Sequence, residues 1–210
     1  MVVKFYKMDE KKALKQIEFM KKNSGKMRLA AEKWRSPFEI LISTIMSART
    51  RDEVTIPVSE KLFKRYNTSK KLANARLDSI KKIIRPVNFY QNKSKNIIAC
   101  AKALEKEHKS KVPSEIDELI KLPGVGRKTA NVFISEIGGD GIGVDVHVNY
   151  ISNKLGWVSS KKPEKIEEDL KKLFSKKYWN KVNSTLVRFG KTHTSRKKRD
   201  IILKEIKKIE

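Results

Sequence analysis

An all-α fold is predicted by three features of the sequence. Apolar residues recur at helical spacing along almost the whole chain, glycines cluster where one such segment gives way to the next, and one short segment is apolar throughout. Ala13, Leu14, Ile17 and Met20 carry the spacing near the N-terminus; Ile97, Ile98, Cys100, Ala101 and Leu104 carry it in the middle. Phe38 to Met46 (FEILISTIM) has too few polar positions for a surface helix, so it is expected at the centre of a core. Ser36 followed by Pro37 fits an N-cap and a first-turn proline for that helix.

Further helices are predicted over residues 52–66, 77–84, 92–107, 115–122, 127–137, 145–155, 163–174, 178–190 and 197–209. Ser114, after Pro113 and with Asp117 three residues on, reads as a capping-box start. The glycines gather in PGVG (123–126) and GGDGIG (138–143), each at a helix-to-helix junction. No repeat of fixed period is evident.

Composition narrows the partners. Lysine and arginine number 49 against 24 acidic residues, a net charge of +25. The lysines run from Lys4 to Lys208, so the excess is not one tail, and a broadly positive field attracts a polyanion. The single cysteine, Cys100, excludes an internal disulfide and a cysteine-ligated zinc or iron–sulfur site within one chain. No segment approaches the roughly 18 apolar residues of a membrane span, and the start MVVKFYKMDEKK lacks a signal peptide's apolar stretch. A cytoplasmic, nucleoid-associated protein with no membrane partner is expected.

The most informative stretch is Leu122-Pro123-Gly124-Val125-Gly126-Arg127-Lys128-Thr129-Ala130-Asn131. Two glycines around one apolar residue allow a sharp turn, Val125 can plug the junction, and the next helix starts at once. A helix N-terminus with outward N–H groups is a phosphate site, and such contacts position DNA without reading its sequence. A nucleotide-binding P-loop is disfavoured, because no G-x-x-x-x-G-K-[ST] occurs and no strand precedes the turn.

LPGVGRKTANV, followed by GVDVHVNYISNKLGW, resembles the helix-hairpin-helix and Gly/Pro-rich loop with aspartate of the endonuclease III branch of DNA glycosylases. Upstream, SPFEILISTIMSARTRDE and NFYQNKSKNI are similar to two further segments of that family, and the resemblance spans about residues 15 to 192 in the same order. It implies a two-lobed helix-hairpin-helix DNA glycosylase fold with a DNA-binding groove between lobes. The expected lobes are residues 24–137, and 1–23 joined to 138–210.

The resemblance places the catalytic lysine at Lys128 and the catalytic aspartate at Asp145, on opposite walls of the groove. Breaking an N-glycosidic bond leaves positive charge on the sugar, which a carboxylate stabilises. An unprotonated amine can attack C1′, expel the base and form an imine, and loss of the C2′ proton then eliminates the 3′ phosphate. Lys128 is expected to be partly buried beside Arg127. Read without the resemblance, Asp145 is an ordinary helix cap and Lys128 a solvated or phosphate-contacting charge.

The target nucleotide must leave the stack. The resemblance puts Arg49 and Phe89 at loop tips that fill the vacated space or wedge the opposite strand. Arg49 stands where the family commonly has glutamine; it can pair with and stack on the orphan base or contact a phosphate. Lys93, Lys191, Gly124, Val125, Gly126 and Arg127 complete the expected DNA-binding set. Asp52 is a supporting acid, cap or ion-pair partner. His147 is assigned to packing or a hydrogen bond in preference to proton transfer, and Tyr90 to the core or the groove in preference to a base-stacking platform.

Many family members end with four cysteines around a [4Fe–4S] cluster. Thr194 stands where the first ligand is expected, so no cofactor is predicted. Ser195 to Arg199 form a basic run that can stand in for the cluster's DNA-binding loop, ahead of a helix with an apolar stripe at Ile202, Ile206 and Ile209. The expected activity is a bifunctional glycosylase and abasic-site lyase, acting as a monomer on double-stranded DNA with oxidised or deaminated pyrimidines, uracil, mismatched thymine or abasic sites. Its rivals are a mismatch glycosylase without lyase action and a non-catalytic DNA-binding module.

Overall fold

The computed structural model describes residues 9–209. Among the described residues the regular structure is twelve α-helices and one 3-10 turn, with no strand. They fall into two compact units: Arg28–Gly141, and a discontinuous one in which residues 9–27 join residues 142–209. No helix among the described residues is long and apolar enough to cross a membrane.

The continuous unit holds α2 (Pro37–Ser47), α3 (Asp52–Phe63), α4 (Ser69–Ala73), α5 (Leu77–Ile84), α6 (Tyr90–Glu107), α7 (Ile116–Leu119) and α8 (Arg127–Glu136), after α1 (Glu10–Lys22) of the other unit. Every residue from Phe38 to Met46 is buried, because this apolar helix packs against α3, α6 and α8 at once. Its start is set as the sequence suggests: Ser36 Oγ accepts from Glu39 N at 3.3 Å, with Pro37 in the first turn. Glu39 is itself buried, and its carboxylate accepts from Arg35 N at 2.9 Å.

Several boundaries differ from expectation for local reasons. Helix α4 was not predicted; five residues are too few to show a period, and its anchors are Leu72 in the core and Thr68, whose hydroxyl accepts from Lys71 N. Helix α7 is only Ile116–Leu119, with Glu115 at its N-cap and no side-chain cap bond, so Ser114 forms no capping box. The chain leaves the helix early to seat both Leu122 and Val125 in the core.

The discontinuous unit holds α1, α9 (Val146–Leu155), α10 (Pro163–Leu173), α11 (Trp179–Thr192) and α12 (Arg196–Lys208). Its core joins Ile17 and Met20 to Ile151, Leu155, Leu170, Leu186, Phe189 and Ile206, and the Trp157 and Phe174 rings meet edge-on at 5.2 Å. The residues of α12 that reach this core are Leu203 and Ile206; Ile202 and Ile209 are only half-buried, so the expected stripe is turned towards Leu203. A buried glutamine secures the helix: Gln16 Nε2 donates to Ile206 O at 3.1 Å, and Trp157 Nε1 donates to Gln16 Oε1 at 2.7 Å. That satisfies polar groups which, buried unpaired, would each cost about 1–3 kcal/mol.

Candidate active site

The glycine turn is built by two carbonyl contacts and one left-handed residue. Leu122 N donates to Leu119 O at 3.1 Å and Val125 N to Leu122 O at 3.0 Å. Gly124 has φ 83°, and a Cβ there would lie 2.9 Å from Asn96 Cβ, so both backbone and neighbour require glycine. Gly126 differs: its φ is −94°, and a Cβ would meet nothing within 4 Å. Nothing in the folded chain therefore requires glycine at this exposed position.

Gly126 is the N-cap of α8, whose start carries no side-chain cap; the first helical bond runs from Ala130 N to Gly126 O at 2.9 Å. The N–H groups of the first turn have no partner within a helix, and the positive end of the helix dipole lies there. Arg127 and Lys128 are exposed on that turn, Lys128 more so than the partial burial expected. Val125 must be corrected: its side chain is 6% exposed within the core and its N–H is committed to Leu122 O, so it supports the turn from inside and does not offer itself to DNA.

Asp145, in the discontinuous unit, is the N-cap of α9. Its Oδ1 accepts from His147 N at 2.8 Å and Val148 N at 2.9 Å, which fixes the carboxylate at the helix start. Beside it Val146 is 77% exposed, an apolar group facing solvent. His147 packs on α11: a Cβ at Gly190 would fall 2.3 Å from its Nδ1, so the glycine makes room for the ring. Lys191, the next residue, is half-buried in the last turn of α11.

Arg49 and Phe89 lie on two loops of the continuous unit, after α2 and before α6. Both have left-handed backbones, φ 55° and 58°, which non-glycine residues seldom adopt without support. Phe89 is 58% exposed, and the Arg49 guanidinium stands 5.9 Å from its ring centre. A cavity of about 370 Å³ lined by Thr50, Arg51, Glu53, Val54, Pro86 and Asn88 adjoins these loops. Asp52 is buried in the first turn of α3, and Tyr90 packs on the core.

Lys93 requires the second correction. It is 7% exposed, with its ammonium bonded to Met46 O at 2.7 Å, to Ala48 O, and to Thr50 Oγ1 at 3.2 Å. Burial lowers its pKa to about 8. Its charge is turned inward, to the carbonyl end of α2, and is not presented to DNA. Thr50 and Asn88, which complete this network, were not singled out from sequence: each lies in a segment that resembles the family, but the bond that gives them a role joins residues 38 apart in the chain.

The residues present do not fit a cysteine-ligated cluster, which needs four thiolates. Cys100 is the one cysteine of the chain; it lies buried in α6 of the continuous unit, and burial pushes its thiol up to about 12. At the C-terminal end, Thr194 is exposed and leads into α12. Part of the basic run is used in packing: the Arg196 and Arg199 guanidinium groups stand 4.9 and 4.6 Å from the Tyr150 ring centre. The Tyr150 hydroxyl and Lys154 hold the Asp200 carboxyl below the usual range, while Lys197 and Lys198 remain exposed.

Comparison with known proteins agrees with this arrangement. Residues 42–176 match the family described as HhH-GPD superfamily base excision DNA repair protein. The chain is 42% identical to endonuclease III of Thermotoga maritima over 156 residues, 74% of this chain and 73% of that protein. It is 35% identical to endonuclease III of Bacillus subtilis over 187 residues, 86% and 84% of the two. Among solved structures it is similar to a trapped endonuclease III–DNA covalent intermediate, with TM-score 0.80, 32% identity and coverage of 90% and 89%. A thermostable thymine-DNA glycosylase shares the fold, with TM-score 0.82 at 18% identity over 95% and 94%. With the glycine turn leading into an uncapped helix, and with matches of this extent, the chain belongs to the HhH-GPD superfamily of base excision DNA repair proteins, and within it resembles the endonuclease III branch.

Proposed function

We propose that this protein is a bifunctional DNA glycosylase and abasic-site lyase that removes damaged pyrimidines and nicks the strand by β-elimination. The observation that carries this reading is Lys128 on the first turn of α8, within the helix-hairpin-helix of a chain 42% identical to an endonuclease III. The neutral amine attacks C1′; the C1′–N bond breaks, and its electron pair leaves with the base. The nitrogen then gives up its protons as the C1′–O4′ bond opens and O4′ takes a proton, which leaves an imine at C1′; the imine acidifies C2′, and loss of that proton breaks the C3′–O bond and releases the phosphate. Asp145 stabilises positive charge on the sugar as the glycosidic bond opens.

The first turn of α8 holds a DNA phosphate through backbone N–H groups, with Arg127 beside it. Arg49 and Phe89 occupy the gap left by the everted nucleotide, and Lys191 with the exposed Lys197 and Lys198 adds sequence-independent attraction. The protein acts as a monomer on chromosomal DNA in the cytoplasm, without an iron–sulfur cluster: the packing of Leu203 and Ile206 and the Gln16 bond secure α12. Oxidised pyrimidines are its substrates, with uracil and mismatched thymine as further candidates.

The test is incubation with duplexes each carrying one lesion, scored separately for base loss and strand cleavage, with borohydride added to fix the imine. Coupled base loss and cleavage with a covalent adduct is expected. Base loss without adduct would identify a glycosylase lacking lyase action, and binding without either product a non-catalytic module.

The two glycines of the turn give a second expectation. Gly124→Ala forces a left-handed backbone and an Asn96 contact, so urea unfolding should register a loss of about 1–3 kcal/mol. Gly126→Ala meets nothing in the fold and should leave stability unchanged, yet weaken duplex affinity on the order of tenfold, the equivalent of one lost charge-assisted hydrogen bond. Unchanged affinity in Gly126→Ala would remove the phosphate from this turn.

A further inference from the structure

Lys93 is a buried cation in a chain with many exposed ones, and its surroundings are specific. It comes from the first turns of α6 and reaches the carbonyl end of α2, where Met46 O and Ala48 O lack the helical partners that interior carbonyls have. Its third acceptor is Thr50 Oγ1 at 3.2 Å. The same Thr50 oxygen accepts from Asn88 N at 3.2 Å, and the Asn88 side-chain amide donates back to Arg49 O.

These bonds join two loops that are distant in sequence. One carries Arg49 and the other Phe89, and each of those residues is in the left-handed conformation that the bonds flank. Thr50 is the node, with Lys93 donating to it from α6 and Asn88 from the second loop. Without the ammonium, two carbonyls at the end of α2 and the Thr50 hydroxyl lose a shared donor, and the loops lose their common anchor.

We propose that Lys93 is a positioning residue whose buried ammonium fastens the Arg49 loop to the Phe89 loop, so that the two side chains enter DNA as one preformed wedge. This rests on the glycosylase and lyase reading above, and adds to it the device that sets the wedge before DNA arrives. Burial of the charge, which lowers its pKa to about 8, opposes folding, so the cation stabilises the loop geometry at the expense of its own hydration.

The experiment uses Lys93→Met, which keeps the length and apolar stem and removes the donors. Borohydride trapping rates are measured on an abasic site in a fully paired duplex, and on the same strand annealed to two oligonucleotides that leave the opposite nucleotide missing. The gapped duplex has no orphan base to hold apart. Trapping by Lys93→Met should fall roughly 10–100-fold on the paired duplex, the cost of a misplacement of about 1 Å, and stay within about threefold of native on the gapped one. Thr50→Val, which removes the node but not the cation, should show the same selectivity, and decides the matter if Lys93→Met does not fold. Equal losses on both duplexes would assign Lys93 a merely structural role, and no loss on either would show that the wedge needs no anchor; both overturn the proposal. A native protein inert on both duplexes would instead remove the lyase reading, and the proposal with it.

Discussion

Lys128→Gln is expected to abolish the borohydride-trapped adduct and to lower strand cleavage roughly 10³-fold or more, as for other covalent nucleophiles removed singly. Glutamine keeps length and polarity but cannot form an imine. The residue is exposed on the first turn of α8, so the thermal midpoint should not move, and duplex affinity should fall only by one charge. Single-turnover cleavage of an abasic duplex, with denaturing-gel detection of the adduct, measures both quantities. An adduct that persists in Lys128→Gln would assign the imine to another amine among the chain's many lysines.

Asp145→Asn is expected to slow base release roughly 10²–10³-fold, the loss seen when one group stabilising transition-state charge is removed. Cleavage at a preformed abasic site should suffer far less, because no glycosidic bond remains to break. The substitution separates chemistry from structure. Asp145 caps α9 through Oδ1 to His147 N and Val148 N, and asparagine caps a helix as well as aspartate does. The thermal midpoint of Asp145→Asn should therefore match native, whereas Asp145→Ala should lose about 1 kcal/mol in addition to activity. Base release at the native rate by Asp145→Asn would leave the residue with its capping role alone.

The longer helices were legible because each leaves a local trace, whereas the five residues of α4 are too few to leave one. The apolar run Phe38 to Met46 foretold a buried α2, and Ser36-Pro37 foretold its start. The glycine turn and Arg127 as the first residue of α8 were equally plain, since a sharp turn calls for a residue free to take a left-handed backbone, as Gly124 does. What local pattern misjudged was the burial of Lys93 and the DNA contact of Val125, whose place as a plug of the junction it had given. Lys93 and Val125 were both assigned to DNA, and both point inward: Val125 because the turn is plugged from within, Lys93 because its acceptors lie 43 to 47 residues away in sequence.

Thr50 and Asn88 stand in segments that resemble the family, but their bond was invisible for the same reason, as it joins two loops. The two glycines of the turn look alike in sequence, but Asn96 stands against Gly124 and empty space against Gly126, which only coordinates distinguish. The sequence by itself determined an all-α chain, its strongly positive charge and the glycine turn, because periodicity, charge and motif are local or additive properties. Only the tertiary structure decided which lysine is a buried anchor, which glycine the fold needs, and how α12 is held, because burial and hydrogen-bond partnership depend on segments that meet only when the chain is folded.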